Sequence, residues 1–176
     1  VLYDNDLAEI HVEGYGFHWE GAAASLLKWF GDNDVYKGGL VVDLGCGGGQ
    51  WLSVLAQEGY KGCGLDVSES MIRIAKQNAP GAEFLLGSFD TVVVPNCVAA
   101  TSLGEPLNYL NSGPAIRRTM QNVFSALSPG GVFIFDVRHP AKRPVDVRHH
   151  HRNLSQRSWL CGSLFLESFL SKIFWD

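Results

Sequence analysis

Four glycines fall within five positions directly after an apolar run, in the stretch VVDLGCGGGQ from Val41 to Gln50. An acid precedes them, so Asp43, Gly45, Gly47 and Gly49 meet the spacing acid-x-G-x-G-x-G. A second acid, Asp66, closes the next apolar run, 23 residues after Asp43. Glycines here allow positive φ angles and the close approach of another molecule or another stretch of backbone. N–H groups at a helix start just after such a turn can hold an anion or a carboxylate. A carboxylate at the end of a second strand can accept both hydroxyls of a ribose. Each charge-assisted hydrogen bond of that kind contributes roughly 1.5–3 kcal/mol. Glycine turn and ribose acid together imply an adenosine-bearing cofactor.

Two cofactor classes share that logic. The dinucleotide fingerprint is G-x-G-x-x-G. Counted from Gly45, its third glycine falls at position 50, which is Gln50. In the other pattern the acid precedes the glycines and can face a positively charged ammonium, whereas the pyrophosphate of a dinucleotide would be repelled. An ordinary structural role competes at each position. The glycines can be plain turn chemistry, Asp66 a partner of the helix dipole near Ser68, and Met71 and Phe89 core residues.

The elements that must position these residues alternate. A short helix from Asp6 through Ile10 is broken by Gly14 and Gly16, and a second runs from about Gly21 to Phe30. Leu40 to Leu44 reads as a strand without polar alternation, covered on both faces. Gly48 to Glu58 reads as a helix, KGCGLDV as a strand, and Glu69 to Asn78 as a helix capped by Ser68. AEFLLGS and NCVAATS are further strands. Pro114 opens a helix to about Leu127, stopped by SPGG, and Val132 to Val137 is a fifth strand. Alternation of this kind predicts a parallel sheet wrapped on both faces, with ligands bound beyond the carboxyl ends of the strands.

The ordered set of motifs resembles the class I S-adenosylmethionine-dependent methyltransferases, in particular a bacterial small-molecule-type subgroup. VVDLGCGGG is similar to their first motif and GLDVSESMIRIAK to their ribose-acid segment. LLGSF resembles the adenine-contacting segment, and LSPGGVFIFDV the fifth strand with its preceding turn. YDNDLAEIH…GYG and ATSLGEPLNYL resemble further parts of that subgroup, and the likeness covers about residues 2–138. It implies an α/β, Rossmann-like three-layer sandwich with a parallel sheet of order 3-2-1-4-5. It also implies S-adenosyl-L-methionine as cofactor. Asp43, Gly45, Cys46, Gly47 and Gly49 would hold the methionine part, Asp66 the ribose, and Val67 and Met71 the faces of the adenine. Ser88 and Phe89 would lie near the base, with Ser88 where many relatives carry an acid, and Ser102 would complete the cofactor set.

No catalytic residue follows from these motifs. Glu105, Asn108 and Tyr109 follow the fourth strand and should border the pocket. His11 and Tyr15 lie in the amino-terminal segment, where residues 1–38 would form a helical lid. For each of them a packing or capping role competes. Residues 1–138 would make the cofactor-binding domain, and 139–176 a basic loop and atypical tail. The family generally ends in two further strands, one of them antiparallel. In CGSLFLESFLSKIFWD there is apolar material for one strand or one helix, so those strands are expected missing or atypical and one sheet edge bare. Such an edge invites pairing with a second copy.

The 176 residues, 46% hydrophobic, are enough for one sizeable core. Seven of the fourteen Lys and Arg lie from Arg138 onward, while fifteen of the eighteen Asp and Glu precede it. An acidic body argues against a broad nucleic-acid footprint. The basic stretch reads first as a solvated loop, with attraction of an anionic substrate as the rival. No apolar run is long enough to span a membrane and the polar, acidic start does not read as a signal peptide. The four cysteines form no C-x-x-C pair and the His149–His151 run would bind metal only adventitiously, so no metal site is expected. Three of the cysteines sit in apolar or glycine-rich strand contexts, which reads as buried and reduced and suits a cytoplasmic location. The expected function is methyl transfer to a small-molecule acceptor. The alternatives are an NAD-dependent oxidoreductase of Rossmann type and a catalytically incomplete cofactor-binding module.

Overall fold

A computed structural model describes residues 17–137 and 169–171. Its elements are α1 (Phe17–Asp32), β1 (Leu40–Leu44), α2 (Gln50–Gln57), β2 (Lys61–Asp66), α3 (Glu69–Asn78), β3 (Glu83–Leu86) and β4 (Cys97–Ser102). There follow a 3-10 turn (Pro106–Tyr109), α4 (Gly113–Ala126), β5 (Leu127–Val137) and β6 (Phe169–Ser171). The sheet order is β3-β2-β1-β4-β5-β6, parallel from β3 to β5 as expected.

Alternate residues of the central strands feed two cores. Val41, Ala99, Val132 and Ile134 pack on one face with Leu26 and Phe30 of α1 and Trp51, Leu52 and Leu55 of α2. Val42, Ala100, Phe133 and Phe135 pack on the other with Met120 and Val123 of α4. Burial on both faces explains why these strands read as unbroken apolar runs. Local signals set the helix starts. Ser68 accepts from the Met71 N–H at 3.3 Å, and Ser112 accepts from the Ala115 N–H at 3.2 Å.

Three boundaries differ from expectation. Helix α1 begins at Phe17 rather than near Gly21, and α2 begins at Gln50 because Gly49, at φ +76°, is its left-handed N-cap. Helix α4 ends at Ala126 as expected, but the fifth strand starts at Leu127 rather than Val132, so the SPGG stretch is an irregularity inside β5. Leu127 already pairs with Cys97, the register shifts, and pairing resumes at Ala99 with Val132. Gly131 permits this, since a Cβ there would meet the carbonyl oxygens of Ser128 at 2.9 Å and Val98 at 3.0 Å. The proposed helix over Asp6–Ile10 lies outside the described residues. The tail does supply a strand: Phe169–Ser171 pairs antiparallel with Phe135–Val137, so β5 is covered there instead of bare.

Candidate cofactor and active site

Three acids gather at the carboxyl ends of the parallel strands. Asp43 is the fourth residue of β1, Asp66 the last of β2, and Asp136 the penultimate residue of β5. Asp43 is buried, and its Oδ1 accepts from the Thr101 hydroxyl of β4 at 2.7 Å. The Trp51 indole N–H of α2 in turn donates to Thr101 Oγ1 at 3.2 Å. Burial pushes the Asp43 carboxyl up to about 7; the Thr101 hydroxyl opposes this, while Asp66 and Asp136 reinforce it. Among the described residues, the charges acting on Asp43 are thus both acids.

Asp66 is held by main-chain donors. Its Oδ2 accepts from the Gly47 N–H and its Oδ1 from the Ser68 N–H, each at 2.9 Å. The turn is braced elsewhere as well. The Gly45 and Cys46 N–H groups both donate to the Leu65 carbonyl, at 2.8 and 3.0 Å, and the Gly49 N–H donates to that of Cys46. The Asn78 side chain donates to the Gly48 carbonyl at 2.8 Å. Expectation had these N–H groups holding an anion or a carboxylate; that of Gly47 holds the Asp66 carboxylate, while those of Gly45, Cys46 and Gly49 bond main-chain carbonyls.

The three pattern glycines have different reasons. All have positive φ, at +75°, +50° and +76° for Gly45, Gly47 and Gly49. A Cβ on Gly45 would lie 2.5 Å from Cβ of Pro106, and one on Gly49 would lie 2.9 Å from Cβ of Ala75. Those two let the 3-10 turn and α3 pack against the loop. A Cβ on Gly47 would meet nothing within 4 Å. Gly47 alone of the three faces open space.

The other expected contacts divide. Val67, next to Asp66, is 53% exposed, an uncovered apolar surface at the rim. Met71, expected at the adenine, is 2% exposed, with its side chain in the core. Ser102 is fully buried, and its hydroxyl donates to the Leu44 carbonyl at 3.0 Å, tying β4 to β1. The Cys46 thiol is turned into the core, where burial holds its pKa well above the usual thiol range. Gly64 makes room for it, since a Cβ there would lie 2.6 Å from its sulfur. Phe89 is buried, with Cε1 3.9 Å from the position of a Cβ on Gly45. Ser88 donates to Asp90, which also accepts from Arg118 at 2.8 Å; these two bonds hold Asp90 below the usual carboxylate range.

Among the candidate catalytic residues, Glu105 caps the 3-10 turn at φ +64°, and Asn108 and Tyr109 are exposed on it. Pro106 in the same turn lies over Gly45, which brings this group beside the glycine loop. His11 and Tyr15 lie outside the described residues. Sequence reasoning missed Asp136, whose carboxylate accepts from the Gly104 and Glu105 N–H groups at 3.0 and 2.7 Å. It also missed Thr101 and Trp51. An acid or hydroxyl at the carboxyl end of each inner strand was the available signal.

Residues 41–131, just over half of the chain, match the family model described as "Methyltransferase domain". The chain belongs to the methyltransferase-domain family. It is 31% identical over 123 residues to YqeM of Bacillus subtilis (strain 168), a protein with the provisional name of methyltransferase, covering 62% of this chain and 46% of that one. It is 29% identical over 111 residues to a ubiquinone biosynthesis O-methyltransferase of Coxiella burnetii, covering 62% and 47%. The methyltransferase chain therefore spans about half the length of the curated relatives it matches. In fold it is similar to CalS10, an amino pentose methyltransferase of Micromonospora echinaspora solved with S-adenosylmethionine bound. There the TM-score is 0.69 at 24% identity, over 85% of this chain and 64% of that one. The Rossmann-like class I fold is thereby shown, and no described helix is long and apolar enough to cross a membrane.

Proposed function

We propose that this methyltransferase domain binds S-adenosylmethionine at the carboxyl ends of β1, β2 and β4 and transfers its methyl group to a small-molecule acceptor. One observation carries the reading. Asp43, a buried carboxyl pushed up to about 7, feels two further acids, Asp66 and Asp136, and Gly47, bonded to Asp66, has open space where a Cβ would stand. Such an acidic group beside an open glycine is matched by a cationic guest with a slim backbone. The ammonium and sulfonium of S-adenosylmethionine satisfy that requirement, while a dinucleotide pyrophosphate would be repelled.

In this reading Asp43 faces the ammonium, Gly47 leaves room for the methionine part, Asp66 takes the ribose and Val67 lies against the adenine. Contributions from Gly45, Cys46 and Gly49 are confined to shaping the turn, and Ser88 and Phe89 border the base. Bound S-adenosylmethionine supplies a methyl group already activated by its positive sulfur. The protein's part is then mainly alignment and exclusion of water, and alignment can contribute roughly 7–11 kcal/mol. Glu105, Asn108 and Tyr109, with His11 and Tyr15, are the groups we assign to the acceptor side.

The acidic body favours a small acceptor over nucleic acid. Burial pushes the Cys63 and Cys97 thiols up to about 11 and about 12, and both are unpaired; inert thiols support a cytoplasmic setting. The outer edge of β3 is the place we assign to any self-association. We read residues 1–138 as the cofactor unit, with the tail adding an edge strand. Calorimetric titration with S-adenosylhomocysteine and, separately, NAD tests the assignment. Saturable binding of the former alone is expected. Binding of NAD alone would support the oxidoreductase reading instead. Binding of S-adenosylhomocysteine without methyl transfer to any of a broad acceptor panel would mark an incomplete module.

A further inference from the structure

Trp51, Thr101 and Asp43 form one buried chain of hydrogen bonds reaching from α2 across β4 to β1. Trp51 is 3% exposed, Thr101 0% and Asp43 4%. An indole N–H can only donate, so Thr101 Oγ1 is the acceptor of the first bond. With that lone pair engaged, the single proton of the Thr101 hydroxyl is directed to Asp43 Oδ1. An O–H donor aimed at a carboxyl oxygen favours the ionised form over the protonated one.

We propose that Thr101 and Trp51 are positioning residues that keep Asp43 ionised and oriented for the cofactor ammonium, so that cofactor affinity is gated by proton loss from Asp43. This rests on the methyltransferase reading. The groups facing Asp43 leave little else to perform that task. Asp66 from β2 and Asp136 from β5 both oppose its ionisation, and the Cys46 thiol in the adjoining turn is held neutral by burial. Among the described residues, the Thr101 hydroxyl is the group that draws the Asp43 pKa down. Loss of ionised Asp43 as pH falls through about 7 therefore removes the charge that a cationic guest requires.

The test is calorimetric titration of S-adenosylhomocysteine from pH 6 to pH 8, for the wild type and for T101V, T101S, W51F and D43N. Wild-type affinity should fall about tenfold from pH 8 to pH 6, and D43N should be weak and flat over that range. T101V should bind about fivefold more weakly at pH 7, with its pH midpoint moved up by about one pH unit. T101S should restore both, and W51F should lie between. Circular dichroism confirms that each variant is folded. Carboxyl NMR of Asp43 in the unliganded protein reads the same displacement directly, even where a variant binds no ligand. A T101V midpoint equal to wild type by both methods overturns the proposal while leaving the methyltransferase reading intact. Absence of wild-type binding at every pH overturns both.

Discussion

The Gly47 N–H donates to Oδ2 of Asp66 at 2.9 Å, joining residues 19 apart in sequence. The glycine loop and the acid we assign to the ribose are therefore one mechanical unit. Asp66→Ala removes an acceptor from both Gly47 and Ser68. We expect S-adenosylhomocysteine affinity to drop at least tenfold and stability to fall by about 1–3 kcal/mol. Calorimetry and urea unfolding read the two effects separately. An unchanged affinity would refute the ribose role, and an unchanged stability would refute the bracing.

Gly47 and Gly49 separate ligand space from packing space. Gly47→Ala places a methyl where nothing lies within 4 Å, at a cost of about 1–2 kcal/mol for its φ of +50°. It should stay folded and lose cofactor binding at least tenfold. Gly49→Ala meets Ala75 at 2.9–3.0 Å and should lose clearly more stability than Gly47→Ala. Urea midpoints of the two variants side by side, followed by calorimetry of Gly47→Ala, decide the matter.

Asp43 should tax the stability of the empty protein. Its pKa rises on folding from 3.8 to about 7, so between those values the folded state holds a proton that the unfolded state has lost. Stability then falls as pH rises from about 4 to about 7 and levels off above that. Asp43→Asn lacks this loss. Its advantage over wild type should be small at pH 4.5 and reach roughly 2–4 kcal/mol at pH 8. Urea unfolding at the two pH values measures it, and an advantage independent of pH would count against a buried, protonatable Asp43.

Ser102 offers the converse control. Its hydroxyl is engaged by the Leu44 carbonyl at 3.0 Å and is fully buried. Ser102→Ala should lower stability by about 1 kcal/mol and leave cofactor affinity within about twofold. A large affinity loss without loss of stability would restore the ligand role expected for it from sequence.

The order and type of the elements were legible because their signals are local. Apolar runs of strand length, the Ser68 cap and the Gly45–Gly49 turn all lie within a few residues of what they specify. What escaped depends on partners far along the chain. The SPGG bulge exists because β5 pairs with Cys97 before the turn and with Ala99 after it. Met71 and Ser102 carried the right positions for a cofactor contact, yet their side chains face inward, and only the packed layers decide that. The Thr101 bonds to Trp51 and Asp43 span 50 and 58 residues, a distance no periodicity reveals. Asp136 was hidden within an apolar strand pattern, although its place near the strand's carboxyl end matches that of Asp43 and Asp66.

The central claim is that Gly47, Asp43 and Asp66 together receive an S-adenosyl compound. A crystal structure of the protein with S-adenosylhomocysteine tests it most directly. The account predicts the ribose hydroxyls within hydrogen-bonding distance of Asp66, the amino-acid part over Gly47, and the ammonium directed toward Asp43. Density showing the space over Gly47 filled by the protein's own side chains, with the ligand elsewhere or absent at saturating concentration, would contradict it.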